Sequence, residues 1–295
     1  MTFDFNRRID DAITIRPAQS VEDYRACQEA QRRAWGITEP GYVVPIATMV
    51  GANLHGGLVL GAFLDDGRAA AMSFAFLGRV EERLCLYSQL TGVTPDWQGR
   101  GLGHELKTAQ REFARRSSIP LIAWAFDPLQ AGNAHFNLER LGARVRRYID
   151  NMYGERTDAL NAGVPTDRVI AEWDVAAEEG GPAEPRWPGF PPRMPGLIRV
   201  AEGRSGTPIP AGVDEHRRAA AVFVEVPAGI ARLRQHDSEA AESWRLAVRR
   251  ALRDCFAAGY VAVGFSRGKI DDVDRCGYVL VRGEAPGVAN GPSPV

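Results

Sequence analysis

No stretch of this sequence is apolar for long enough to span a bilayer. Its opening segment, Met1-Thr-Phe-Asp-Phe-Asn-Arg-Arg-Ile-Asp10, lacks the apolar core of a secretory signal. Cysteine is scarce: Cys27, Cys85, Cys255 and Cys276 are scattered and form no Cys-x-x-Cys pair. That spacing argues against a disulfide framework or a zinc site, so no metal is expected and a reducing compartment is the simpler reading. An excess of charge is missing too. The formal net charge is −1, which gives the whole chain no long-range attraction to nucleic acid or to an anionic membrane. A cytoplasmic protein follows, with neither of those as a partner. What is present is ordinary: 295 residues, 45% hydrophobic and 25% charged, enough for one large domain or two modest ones.

Periodicity orders the chain. Ala12–Arg16 alternates as a short strand, and Val21–Trp35 is helical with Tyr24, Cys27 and Ala30 on one side. Val44–Gly51 suits a second short helix. Gly57–Leu64 and Arg68–Leu77 read as strands joined by the turn Asp65-Asp66-Gly67, and Leu84–Val93 extends the meander. Leu102, Leu106, Ala109 and Phe113 then recur at helical spacing. A buried strand, Leu121–Phe126, follows, then a helix over Ala134–Leu141 that stops at Gly142. Arg144–Tyr148 and Arg168–Val175 complete a mixed α/β pattern. We expect a domain over 1–176, a proline-rich linker over 177–196, a small α/β part over 197–285 and a disordered tail over 286–295. In the small part, strand Ala221–Val226 precedes a helix capped by Asp237 with Trp244, Val248, Leu252 and Phe256 on one face. Strands Tyr260–Phe265 and Gly277–Val281 follow, a βαββ order.

The stretch that carries chemistry is Thr91-Gly-Val-Thr-Pro-Asp-Trp-Gln-Gly-Arg-Gly-Leu-Gly-His104. A strand runs into a glycine-rich turn, which runs into an amphipathic helix. Glycines let the backbone approach a ligand, and successive N–H groups at a helix start converge on an anion. That geometry favours a phosphate or pyrophosphate, with Arg100 supplying a cation beside it. A dinucleotide-binding fingerprint fails on spacing, because His104 or Leu106 stands where the third glycine belongs. A P-loop fails because no Gly-Lys-Ser/Thr follows.

Gln98-Gly-Arg-Gly-Leu-Gly103, with its Val93-Thr-Pro lead-in, resembles the Gln/Arg-x-x-Gly-x-Gly/Ala motif of the GNAT (Gcn5-related N-acetyltransferase) superfamily. Phe126-Asp-Pro-Leu129 and Asn133-Ala-His-Phe-Asn-Leu-Glu-Arg-Leu-Gly142 look like a bacterial subgroup with a C-terminal extension. So do Tyr153-Gly154, Asp158–Asn161, Val224-Glu-Val-Pro227, Trp244-Arg245 and Gly259-Tyr260. The fold this implies is a mixed, mostly antiparallel central sheet flanked by helices. The co-substrate implied is acetyl-CoA or another acyl-CoA. Its pyrophosphate would lie on Gln98, Gly99, Arg100, Gly101, Leu102, Gly103 and His104. Its pantetheine arm would lie along Thr91, Gly92 and Val93, with Asn133 and His135 as further contacts.

The resemblance also marks departures. Leu138 stands where many relatives carry a tyrosine that protonates the leaving thiolate, and Ala131 where they carry a coenzyme-contacting asparagine. Gln89 stands where relatives in the subgroup often have a histidine, and a glutamine is no base at neutral pH. Ser88 beside it could line the acceptor side, and Tyr148 could donate a proton. The implied activity is direct transfer of an acyl group to a small-molecule amine, an amino acid being one candidate. Succinyl-CoA as donor is the alternative within that class. A non-catalytic acyl-CoA sensor is the alternative outside it.

Overall fold

The computed structural model describes residues 5–9, 12–154, 156, 163–177, 190, 193–203, 207–214 and 219–283. Most of the expected linker, the expected tail and the Asp158–Asn161 segment lie outside the described residues. By compactness the chain forms two units interleaved in sequence. The first holds Met1–Trp124, Tyr153–Pro165 and Glu172–Ala177. The second holds Ala125–Met152, Thr166–Ala171 and Glu178–Val295. The expected boundaries near 176 and 197 mark changes of composition, which is a different criterion.

In the first unit the strands β1 (Arg7–Arg8), β2 (Ile13–Pro17), β3 (Leu58–Leu64), β4 (Ala69–Val80), β5 (Arg83–Val93) and the first four residues of β6 (Leu121–Phe126) neighbour one another in that order. All pairs are antiparallel except β5 with β6, which is parallel. Each hairpin extends a strand already in place, so the meander forms as its turn signals predict. At the β3–β4 turn, Gly67 takes φ +84° and its N–H reaches the Leu64 carbonyl at 2.9 Å.

Three helices complete this unit: α1 (Val21–Trp35), α2 (Ile46–Leu54) and α3 (Leu102–Arg116). Helix α1 starts in a reciprocal capping box between Ser20 and Asp23 and ends on Gly36 in the left-handed conformation. It buries Tyr24, Cys27 and Ala30 in a cluster with Met49, Val59, Phe63, Met72 and Phe74. An ideal Cβ at Gly92 would sit 2.3 Å from the Trp35 ring of α1, whereas Val93 faces Gly103 of α3. Neighbouring residues of a strand point to opposite faces, so α1 and α3 cover opposite faces of the sheet.

The second unit is again α/β. After α4 (Ala131–His135), the chain continues not as the expected α-helix but as a π-helical turn over Phe136–Arg140. The Leu141 N–H reaches Phe136 O five residues back, and Gly142 at φ +72° ends the turn. Strands β7 (Arg144–Ile149) and β8 (Arg168–Asp174) follow, with β8 contributing its first four residues to this unit. In this unit two strands escaped the sequence reading, as β1 did in the first: β9 (Ile198–Glu202) and β10 (Pro208–Val213), which pair as a separate ribbon. The proline and glycine content of β10 hides its alternation.

Next come β11 (Ala221–Val226), α5 (Ile230–His236), α6 (Ser238–Ala257), β12 (Tyr260–Ile270) and β13 (Val273–Arg282). The C-terminal part is thus longer than βαββ. Strand β13 pairs β11 on one edge and β12 on the other, and β12 touches β7 at Ala262 and Val145. Asp237 caps α6 through the Ala240 N–H, as expected, and Trp244, Val248 and Leu252 are buried on its inner face. Trp244 also donates its indole N–H to the Pro208 carbonyl at 2.9 Å, fastening α6 to β10. Phe190 packs edge-on against Phe223, with ring centroids 5.4 Å apart.

The packing of Trp35 over Gly92 yields a stability prediction. Gly92→Ala forces a methyl into an occupied space and costs about 2 kcal/mol by overpacking. Urea denaturation measures it, and an unchanged midpoint would mean that Trp35 does not rest on this glycine.

Candidate functional site: a strand fork above a glycine loop

Strands β5 and β6 pair only through Cys85–Leu121, Leu86–Ile122 and Tyr87–Ala123. Past that rung β5 runs on to Val93 with β4 as its partner, while its other edge has none among the described residues. The strands therefore fork at Ser88 and Trp124. A β-bulge sits at the same point. Phe74 faces Leu90 and Ala75 faces Ser88, which leaves Gln89 as the extra residue.

Backbone direction along the open edge can be read from one bond. The Thr94 N–H donates to Ala70 O on the β4 side at 3.0 Å. Strand amides alternate between edges, so the N–H groups of Val93 and Thr91 face the open edge. The Gln98 side chain folds back to donate to Val93 O on that edge at 3.2 Å.

The glycine loop follows directly. Gly99 and Gly101 take φ +78° and +80°, and space around both is open where a Cβ would project. Gly101 is the N-cap of the fifteen-residue α3, and no side chain caps that helix start. Its amides are the kind of donors that seek an anion. Arg100 lies over the Trp97 ring at 4.6 Å, so the guanidinium is held at the loop instead of trailing in solvent. Gln98, Gly99, Arg100, Gly101 and His104 are exposed, and Leu102 is buried as the first core residue of α3.

Beneath the fork lies a polar cluster that sequence periodicity missed. Besides Leu102, Leu106, Ala109 and Phe113, helix α3 buries Lys107, Gln110 and Arg111. Lys107 Nζ donates to Ser88 Oγ at 2.9 Å and lies 3.9 Å over the Trp124 ring. Gln110 Nε2 donates to Ser88 Oγ at 3.0 Å and to Ser73 Oγ as well. Lys107 makes no ion pair among the described residues, and burial pushes its ammonium down to about 7. The one available signal was Lys107 and Gln110 standing three residues apart, next to the apolar stripe.

The remaining expected residues belong to the second unit. Asn133 is exposed in α4, and Leu138 is wholly buried core. His135 is half-buried with its Nδ1 buried and unbonded. Burial, helped by Arg267 and Arg140, pushes its imidazole down to about 4, so it is neutral at pH 7.

Tyr148 donates to Asp167 Oδ2 at 2.6 Å. Burial and then that carboxylate push its phenol well above the ordinary value, which makes it a tightly held structural donor. Asp167, its side chain fully buried, also accepts from the Asn151 N–H at 3.0 Å and from two nitrogens of Arg249 at 2.9 Å each. Periodicity alone assigns an arginine such as Arg249 to the wet face of its helix; the pairing with a buried carboxylate draws it inward. Asp127 caps the Leu129 N–H at 2.9 Å and meets Arg245 at 3.2 Å.

Within the first unit, then, Ser88, Gln89, Thr91, Gly92, Val93 and the loop 98–104 fall on one strand-turn-helix path. The forked strand pair, glycine turn and capping helix sit in the mixed, mostly antiparallel sheet that the resemblance implied. The fold is thus mixed α/β, with a mostly antiparallel sheet flanked by helices. No protein-family model matches the sequence, and no curated protein does. Solved structures with a similar fold include a candidate GNAT-family acetyltransferase from Desulfovibrio desulfuricans. It shows 19% identity and a TM-score of 0.44, over 56% of this chain and 100% of that one. The ribosomal-protein-S18-alanine N-acetyltransferase of Escherichia coli shows 19% identity and a TM-score of 0.43, over 56% and 96%. A candidate acetyltransferase from Salmonella typhimurium, solved with acetyl-CoA, shows 20% identity and a TM-score of 0.44, over 59% and 100%. Among the described residues no helix is long and apolar enough to cross a membrane.

The Asp167 cluster gives a pH-dependent prediction. Burial alone would raise the carboxyl, but the donors from Tyr148, Asn151 and Arg249 outweigh it and hold Asp167 below its ordinary value. A lowered carboxyl stabilises the fold fully above its unfolded value, about 3.9, and loses that contribution as pH falls through the folded value. Asp167→Asn should therefore cost about 3 kcal/mol near neutral pH. The gap from wild type should close in strong acid. A gap in unfolding free energy that is constant across the acid range would show that the carboxylate charge is not what stabilises.

Proposed function

We propose that this chain is a cytoplasmic CoA-dependent N-acyltransferase of the GNAT superfamily, with acetyl-CoA as donor and a small-molecule amine as acceptor. The observation that carries the reading is the fork. Strand β5 presents the Thr91 and Val93 N–H groups along an edge that is unpaired among the described residues, and that edge leads straight into a helix start with no side-chain cap behind two left-handed glycines. An amide-bearing chain that ends in a pyrophosphate fits such a path. The arm lies along the strand edge and the phosphates meet the helix start. The thioester supplies the activated acyl group. Residues of this chain bind it along Thr91–Val93 and Gln98–His104, with Asn133 and His135 as proposed further contacts.

The chemistry asks little more. Transfer to an amine needs no covalent enzyme intermediate. An N–H of the Thr91–Val93 edge is suited to receive the developing oxyanion. Holding donor and acceptor together supplies much of the rate. In this reading residues 1–176 carry the chemistry, and 197–285 form a smaller C-terminal part.

Leu138 and Gln89, standing where acid and base residues are often found, keep the sensor reading in view. One experiment tests both. Thermal unfolding is followed with CoA, acetyl-CoA and succinyl-CoA, in wild type and in Gly101→Glu, together with transfer assays over an amine panel. Ligand at about 100 times its Kd should stabilise the wild type by about 2.7 kcal/mol. The preferred acyl form identifies the donor. Gly101→Glu, which brings a negative charge and strains a positive φ, should abolish the shift. No shift with any CoA species removes the proposal. Saturable binding without turnover on any amine leaves the sensor.

A further inference from the structure

Among the described residues Lys107 is a buried cation without a counter-charge, placed at the point where two strands part. Ser88 is the first β5 residue past the last rung shared with β6, and Trp124 is the first such residue of β6. The Lys107 ammonium touches both, 2.9 Å from Ser88 Oγ and 3.9 Å from the Trp124 ring. Burying a charge is costly unless something uses or pairs it. The groups facing Lys107 are neutral: Ser88 on β5, Trp124 on β6 and Gln110 on α3, with Ser73 of β4 behind.

The hydrogen-bond count at Ser88 is informative. A hydroxyl has two lone pairs and one proton. Lys107 and Gln110 each donate to Ser88 Oγ, which occupies both lone pairs. The serine proton must then point elsewhere. Thr91 Oγ1 lies 3.4 Å away, a contact too long to hold a proton firmly. Ser88 is thus set as a donor at the mouth of the fork, with a cation behind it.

We propose that Ser88 is the proton donor to the departing thiolate and that Lys107 resupplies it. This rests on the acyltransferase reading and provides the acid that the buried Leu138 cannot. As the amine nitrogen bonds to the acyl carbon, the carbon–sulfur bond breaks and its electron pair goes to sulfur. Ser88 Oγ–H gives its proton to that sulfur while Lys107 Nζ–H gives one to Ser88 Oγ. Lys107 is left neutral. The proton shed by the amine goes to solvent, and Lys107 takes one back from solvent before the next turnover.

Acidity decides the direction of the relay. An ordinary thiol titrates near about 8.5 and an ordinary lysine near about 10.4. With its ammonium pushed down to about 7 by burial, Lys107 is a stronger acid than a thiol, so giving a proton to a thiolate is downhill. As a base toward an alkylammonium it would work uphill by several pH units.

The test uses the full chain, with Lys107→Met, Lys107→Arg and Ser88→Ala beside wild type. First, the side-chain nitrogen of Lys107 is titrated by NMR without substrate, its resonance assigned by its loss in Lys107→Met. A midpoint near neutrality that moves in Ser88→Ala is expected; a midpoint like that of a solvated lysine overturns the proposal. Second, kcat is measured against pH with acetyl-CoA. Wild type should lose rate on the alkaline side as Lys107 deprotonates. Lys107→Met should fall about 10²-fold and lack that limb, with CoA affinity kept. Lys107→Arg keeps the charge but holds its proton too tightly and should fall comparably. Third, an aryl thioester, whose thiolate leaves without a proton, should restore most of the loss in both variants. An equal loss with both donors, or an unaltered alkaline limb, overturns the relay alone. A wild type that binds no CoA and transfers nothing overturns the acyltransferase reading and the relay together.

Discussion

Everything that makes the first unit more than a folded sheet depends on β5 having, among the described residues, a partner on one edge only beyond Tyr87. A buried strand normally satisfies both edges, because each unpaired amide in the interior costs free energy. Here the chain leaves one edge open and places a bulge at the same residue. The glycine loop and α3 extend from the far end of that edge. The two helices pack on opposite faces of the sheet, Trp35 of α1 against Gly92 and Gly103 of α3 against Val93.

The fork explains why α3 is buried more widely than an amphipathic stripe predicts. Where two strands separate, the helix on that face must fill a wedge in place of covering a flat surface. Leu106 and Ala109 are buried with the apolar stripe, while Lys107 and Gln110 reach Ser88 where the strands part. Polar side chains are tolerated there because Ser88 and Ser73 offer partners and the Trp124 face accepts a cation.

Much of this was legible in the sequence and some was not, for physical reasons. Helix α1 and strands β6 and β11 lie where the pattern sets them, since α1 has one buried face with clear caps and each strand is a short apolar run buried on both faces. The glycine loop was legible because a positive φ demands a residue type. The π-helical turn after His135 was not, because its hydrogen-bond step depends on the Gly142 closure and leaves no trace in composition. The β9–β10 ribbon was hidden by prolines and glycine, and the Lys107 cluster by its charge, which periodicity assigns to solvent. The shared partner of Tyr148 and Arg249 was not legible either. Neither shows in sequence that Asp167 lies between them.

The Asp167 cluster has a consequence for how the chain can be divided. Within the second unit, Asp127 and Asp167 arise early in the sequence, yet the guanidinium groups that meet them, Arg245 and Arg249, come from α6, more than eighty residues later. A protein shortened ahead of α6 would keep two carboxylates shaped for burial and lose the cations that make burial tolerable. The late segment is therefore bound to the early one by charge neutrality as well as by apolar contact, and it cannot be treated as a detachable appendage.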